Sequence, residues 1–104
     1  MTYERVTAAS TAQALERAVD ILTDRLPTEK IAGDDHSVTL SGGDGTVTIS
    51  AHRHGPETIV NATTDQLRTS RLDIEVQYYL TMLPYQPGDQ RGQGEALPGG
   101  LSAS

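Results

Sequence analysis

Between Ser37 and Thr63 apolar and polar residues alternate, and two glycine-bearing turns break the alternation at intervals that suit antiparallel pairing. Val38 and Leu40 alternate with Ser37, Thr39 and Ser41, and Gly42-Gly43-Asp44-Gly45 follows as a turn cluster. From Thr46 to Arg53, Val47, Ile49 and Ala51 fall on one face, with Thr46, Thr48, Ser50 and His52 on the other. Gly55-Pro56 makes a second turn, and a third strand is expected from about Thr58 to Asp65. If both turns close hairpins, Thr39 faces Thr48 and Ser50 faces Asn61. Val38, Leu40, Val47, Ile49, Ala51, Val60 and Ala62 then share one apolar face. Such a sheet has one side to cover and one side for water.

Two helices are expected to supply the cover. Leu15, Ala18, Val19, Leu22 and Leu26 form one stripe of a helix from Thr11 to Leu26, with Ser10 and Gln13 in a capping-box pattern and Pro27 as its stop. Leu72 to Leu83 fits two periods. Leu72, Ile74, Val76, Tyr78, Leu80 and Met82 alternate as a strand would, whereas Leu72, Val76, Tyr79, Leu80 and Leu83 make a helical stripe. The helix is the better fit. Ser70 with Asp73 offers a second capping box, Asp73 and Glu75 suit a helix N-terminus, and Pro84 follows the end.

These elements predict a two-layer α+β domain, α-β-β-β-α, with a three-stranded antiparallel meander and both helices on one face. The domain is placed at 10–85, after an N-terminal segment 1–9 and before a tail at 86–104 whose Gly, Pro and Gln content predicts flexibility. This order resembles the topology of double-stranded RNA-binding domains, which present basic residues at the start of their second helix. Here that stretch reads Arg68-Thr69-Ser70-Arg71-Leu72-Asp73-Ile74-Glu75, and topology without the charges does not carry the function.

Composition narrows the functional classes. The formal net charge is −6 and Lys30 is the only lysine, which argues against partners held through phosphates, whether nucleic acid or an anionic membrane. No apolar run reaches the roughly 18–20 residues of a membrane span, and the first residues lack the features of a secretory signal, so a cytoplasmic protein is expected. The absence of cysteine excludes disulfides, thiolate metal sites and thiol catalysis.

Four local patterns bear on function. His52 and His54, at i and i+2 on a strand, point the same way, and the hairpin register brings Asp35 near them, giving three candidate metal ligands. Arg68, Ser70 and Arg71, at the start of the second helix, are candidates for holding an anion. Glu16, Asp20 and Asp24 stack at i, i+4 and i+8 on the first helix and read as a solvated face beside Arg17 and Arg25. Ile74, Tyr78 and Met82 lie opposite the core stripe of the second helix, with Tyr85 beyond, and aromatic and methionine side chains there suit a protein interface. The expected function is a small non-enzymatic interaction module that self-associates through this helix. The alternative is a metal-binding or metal-assisted hydrolytic protein using His52, His54 and Asp35. Catalysis is not expected, since nothing singles out a nucleophile and no cofactor is implied.

Overall fold

The structure is a computed structural model, and residues 1–84 are described. The element order is β1 (Thr2–Thr7), α1 (Thr11–Arg25), β2 (Thr28–Gly33), β3 (Ser37–Gly42), β4 (Gly45–His54), β5 (Glu57–Thr64) and α2 (Arg71–Thr81). The strands form one antiparallel sheet in the order β1-β5-β4-β3-β2. The fold is α+β with two helices, but the sheet has five strands where the sequence led us to expect three.

The central meander has the expected register. Thr39 pairs with Thr48 and Ser50 with Asn61. Gly42 pairs with Gly45 around Gly43-Asp44, and Gly45 adopts a φ of 123°, a region open to glycine at little cost.

Both additional strands lie at the edges, and each hides its signal for a physical reason. β2 reads Thr-Glu-Lys-Ile-Ala-Gly, exposes every residue after its first, and shifts register between Lys30 and Ala32. That irregularity at Ile31 removes the period-two pattern, and irregular edge strands are one way a sheet avoids further pairing. β1 lies inside the segment 1–9 and turns Tyr3, Arg5 and Thr7 toward the helices. Their polar ends are used there. Tyr3 Oη donates to Asp73 at 2.7 Å, Arg5 Nη2 donates to the Leu83 carbonyl at 3.1 Å, and Thr7 Oγ1 donates to the Pro84 carbonyl at 2.5 Å. The Ala8 amide reaches the same Pro84 carbonyl at 3.1 Å. An inward face built from Tyr, Arg and Thr does not look apolar in sequence.

The core lies between the sheet and the helices. Val38, Leu40, Val47, Ile49, Ala51, Val60 and Ala62 are all buried against Ala14, Leu15, Ala18, Leu22 and Leu26 of the α1 segment and Leu72, Val76, Tyr79, Leu80 and Leu83 of the α2 segment. Burial of this apolar surface is the main drive to fold, at roughly 25 cal/mol per Å² removed from water. With no Phe or Trp in the chain, Tyr79 is the bulkiest fully buried side chain. Its hydroxyl donates to the Ala14 carbonyl at 2.6 Å, tying α2 to the first turn of α1. Burial pushes the Tyr79 phenol far up, so it stays neutral. α1 carries the expected capping box: Ser10 Oγ accepts from the Gln13 amide at 3.1 Å and Gln13 Oε1 accepts from the Ser10 amide at 3.0 Å.

Candidate interaction surface

Leu72 to Leu83 resolves to a helix, and that choice creates the surface. A strand would have put Ile74, Tyr78 and Met82 on the same side as Leu72, Val76 and Leu80. A helix separates the two sets, because successive side chains turn by about 100°. Leu72, Val76, Tyr79 and Leu80 are buried, whereas Ile74 is 54%, Tyr78 38% and Met82 44% exposed. Leu67, just before the helix, is 74% exposed.

Tyr78 is held on one side by α1. The Arg25 guanidinium lies 4.1 Å from the centre of its ring, a cation–π contact between the end of α1 and the middle of α2. Arg25 Nε also donates to Glu75 Oε1, and this hydrogen bond raises the Arg25 pKa further above its ordinary value. Arg71 Nη2 donates to the Arg25 carbonyl at 3.3 Å. The α1 flank of the stripe therefore carries an already paired cation and carboxylate. The opposite flank begins with Gln77 and Thr81, both uncharged. Gln77 Nε2 donates back to the Asp73 carbonyl at 3.1 Å, and Thr81 Oγ1 donates to the Tyr78 carbonyl at 2.7 Å.

The start of α2 is fixed by Asp73 rather than by a full capping box. Ser70 Oγ accepts from the Asp73 amide at 3.1 Å, but the Asp73 carboxylate does not return to the Ser70 amide, which donates to Leu67 O at 2.9 Å. The carboxylate, fully buried, instead gathers hydroxyls. Tyr3 Oη donates at 2.7 Å and Ser70 Oγ at 2.9 Å, and Thr64 Oγ1 lies 2.8 and 2.9 Å from its two oxygens. Burial, and next the hydrogen bond to Asp73, push the Tyr3 phenol up. An anion supplied by the chain thus occupies the region where the helix amides favour negative charge.

The other candidate residues are spread more widely. Of the proposed anion-binding set, Arg68 lies over the Tyr3 ring at 5.7 Å, Ser70 is engaged with Asp73, and Arg71 reaches back to α1. His52 and His54 are exposed on the open face of β4, opposite Ile59 and Glu57, and Asp35 is exposed in the turn before β3. Its neighbour Asp34 does the structural work there, accepting from the amides of His36 at 2.7 Å and Ser37 at 2.9 Å, which lowers its pKa. Among the described residues no three His, Asp or Glu side chains are placed to hold a metal ion. No described helix is long and apolar enough to cross a membrane. Tyr85 and the tail at 86–104 lie outside the described residues.

Sequence reasoning missed two members of this region. Tyr3 is separated from Asp73 by 70 positions, and no local pattern links them. Arg25 belonged to a charged face in the sequence, and its contact with Tyr78 needed the antiparallel packing of the two helices.

No family model, curated protein or solved structure matches the chain.

Proposed function

We propose that the protein is a small interaction module and that the outer stripe of α2 receives a second copy of the same chain. The observation that carries this reading is the joint exposure of Ile74, Tyr78 and Met82 along one line of a helix whose opposite face is fully buried. Large apolar side chains gathered into one exposed patch mark contact sites, and Tyr and Met are favoured there. Glu75 is paired with Arg25, Gln77 and Thr81 are neutral, and the exposed Arg71 lies on the same face, so no unpaired carboxylate on this line opposes a second copy of an acidic chain.

The stripe is short for an obligate interface. Three partly exposed side chains make a smaller contact than the ~800 Å² per partner of a standard complex, so the reading is of a weak, reversible dimer. Light scattering on wild type and on the Tyr78→Glu, Met82→Glu double variant tests it. Wild type should show a dimer fraction that rises with concentration, and the folded double variant should remain monomeric. Equal association by both proteins would remove α2 as the contact.

A further inference from the structure

We propose that residues 86–90 of this chain pair antiparallel with the outer edge of β1 as a sixth strand, with Gly88 opposite Glu4. The pairing is independent of the α2 stripe.

The ladder between β1 and β5 fixes which backbone groups face outward. The Thr64 amide donates to the Met1 carbonyl at 2.8 Å, and the register continues with Thr2 on Thr63 and Tyr3 on Ala62. Bonded pairs alternate along an antiparallel ladder, so Tyr3, Arg5 and Thr7 spend their amides and carbonyls on β5. Those of Thr2, Glu4 and Val6 point away from the sheet. Among the described residues these outward groups have no backbone partner.

The two edges of the sheet differ. β2 shifts register between Lys30 and Ala32 and carries a lysine, and both features discourage a further strand. β1 keeps an unbroken register over Thr2–Thr7 and contains neither proline nor lysine. A regular edge of this kind is a template for another strand.

The same chain provides that strand. The next outward amide after Val6 is that of Ala8, and it donates to the Pro84 carbonyl at 3.1 Å. Thr7 Oγ1 donates to the same carbonyl. The chain therefore leaves the α2 segment beside the end of β1, and a continuation along the edge runs antiparallel to it. Counting on from Ala8 and Pro84 sets Val6 opposite Gln86, Glu4 opposite Gly88 and Thr2 opposite Gln90. Positions 86, 88 and 90 then turn their amides to β1. Pro87, which has no amide, falls at a position that faces away, where an edge strand tolerates proline and a further strand is blocked. A shift of one residue would put Pro87 where the ladder needs a donor. The same register sets Asp89 opposite Tyr3, whose ring Arg68 overlies, so a carboxylate is placed on the side of β1 that carries a cation.

Amide hydrogen exchange, followed by NMR on the full chain at two protein concentrations, tests the pairing. The Glu4 and Val6 amides should exchange about tenfold or more slowly than in an unstructured chain, equally at both concentrations. Gly88→Pro removes an amide that faces β1 and should release Glu4 to nearly the unstructured rate. Asp89→Pro alters a position that faces away and should leave Glu4 slow. The Tyr3 amide, bonded to β5, should stay protected in both variants and reports that the sheet is intact. Free exchange of Glu4 and Val6 in wild type would overturn the proposal, as would equal loss of protection in the two variants. Protection that survives Gly88→Pro would overturn it as well, and if it grew with concentration it would assign the edge to a second copy.

Discussion

Replacing Asp73 by alanine isolates the buried hub that joins β1, β5 and α2. Three hydroxyls, from Tyr3, Thr64 and Ser70, point to one carboxylate at 2.7 to 2.9 Å. Hydrogen bonds to a charged group contribute about 1.5–3 kcal/mol each, which would set an upper limit near 4.5–9 kcal/mol. The true loss is smaller. Tyr3 and Ser70 are only half-buried and can turn to water, and Thr64 Oγ1 has the Gln66 carbonyl at 3.2 Å as a second acceptor. Removing the carboxylate also relieves its desolvation, a cost of several kcal/mol for a buried ion. The net expectation is a destabilisation of about 3 kcal/mol, a large share of the 5–15 kcal/mol that holds a typical domain together. Urea unfolding followed by far-UV circular dichroism should show the midpoint falling with an unchanged slope. Tyr3→Phe should cost about 1 kcal/mol in wild type and almost nothing in the Asp73→Ala background, because the two share one bond. A loss below about 1 kcal/mol in Asp73→Ala, or additive effects in the cycle, would refute the hub.

Other positions give sharper yes-or-no results. A Cβ at Gly42 would stand 2.0 Å from the Pro27 carbonyl oxygen, a backbone atom that cannot swing away, so Gly42→Ala should cost at least about 1–3 kcal/mol by thermal unfolding. Wild-type stability in that variant would mean the β2–β3 edge is not packed as described. Tyr79→Phe removes the 2.6 Å bond to Ala14 while keeping the ring, and should lower stability by about 1 kcal/mol in urea. Asp34 and Asp65 are both held below the ordinary carboxylate range, Asp34 chiefly by the His36 amide and Asp65 chiefly by the Thr46 amide. A lowered folded pKa means that these groups stabilise the fold above the unfolded carboxylate value near 3.9, and that the benefit drains away as pH falls through the folded values. Melting temperature should therefore fall less steeply from pH 5 to pH 2 in an Asp34→Asn, Asp65→Asn variant than in wild type, and parallel curves would contradict the assignment.

How much of this was legible in the sequence follows from where each signal resides. The meander was readable because its inward residues are aliphatic and its turns carry glycine, so period and punctuation agree. The split of α2 into a buried and an exposed stripe was readable once Ser70 and Pro84 favoured a helix. The edge strands were not. β2 surrenders its alternation at Ile31, and β1 presents Tyr, Arg and Thr inward, where recognition rests on hydrogen bonds across the whole chain rather than on local pattern. Asp73 looked like a favourable first-turn acid and proved to be a long-range anchor, because only the folded chain brings Tyr3 to it. Arg25 on Tyr78 is hidden in the same way: helix periodicity sorts residues onto faces but does not say which faces of two helices meet.

The most direct measurement is sedimentation velocity of wild type from about 5 µM to 1 mM. Self-association through the exposed α2 stripe requires the weight-average coefficient to climb from the monomer toward the dimer within that range, and the Tyr78→Glu, Met82→Glu protein to stay at the monomer value. A flat monomer coefficient for wild type up to 1 mM would contradict the proposed role of the α2 stripe.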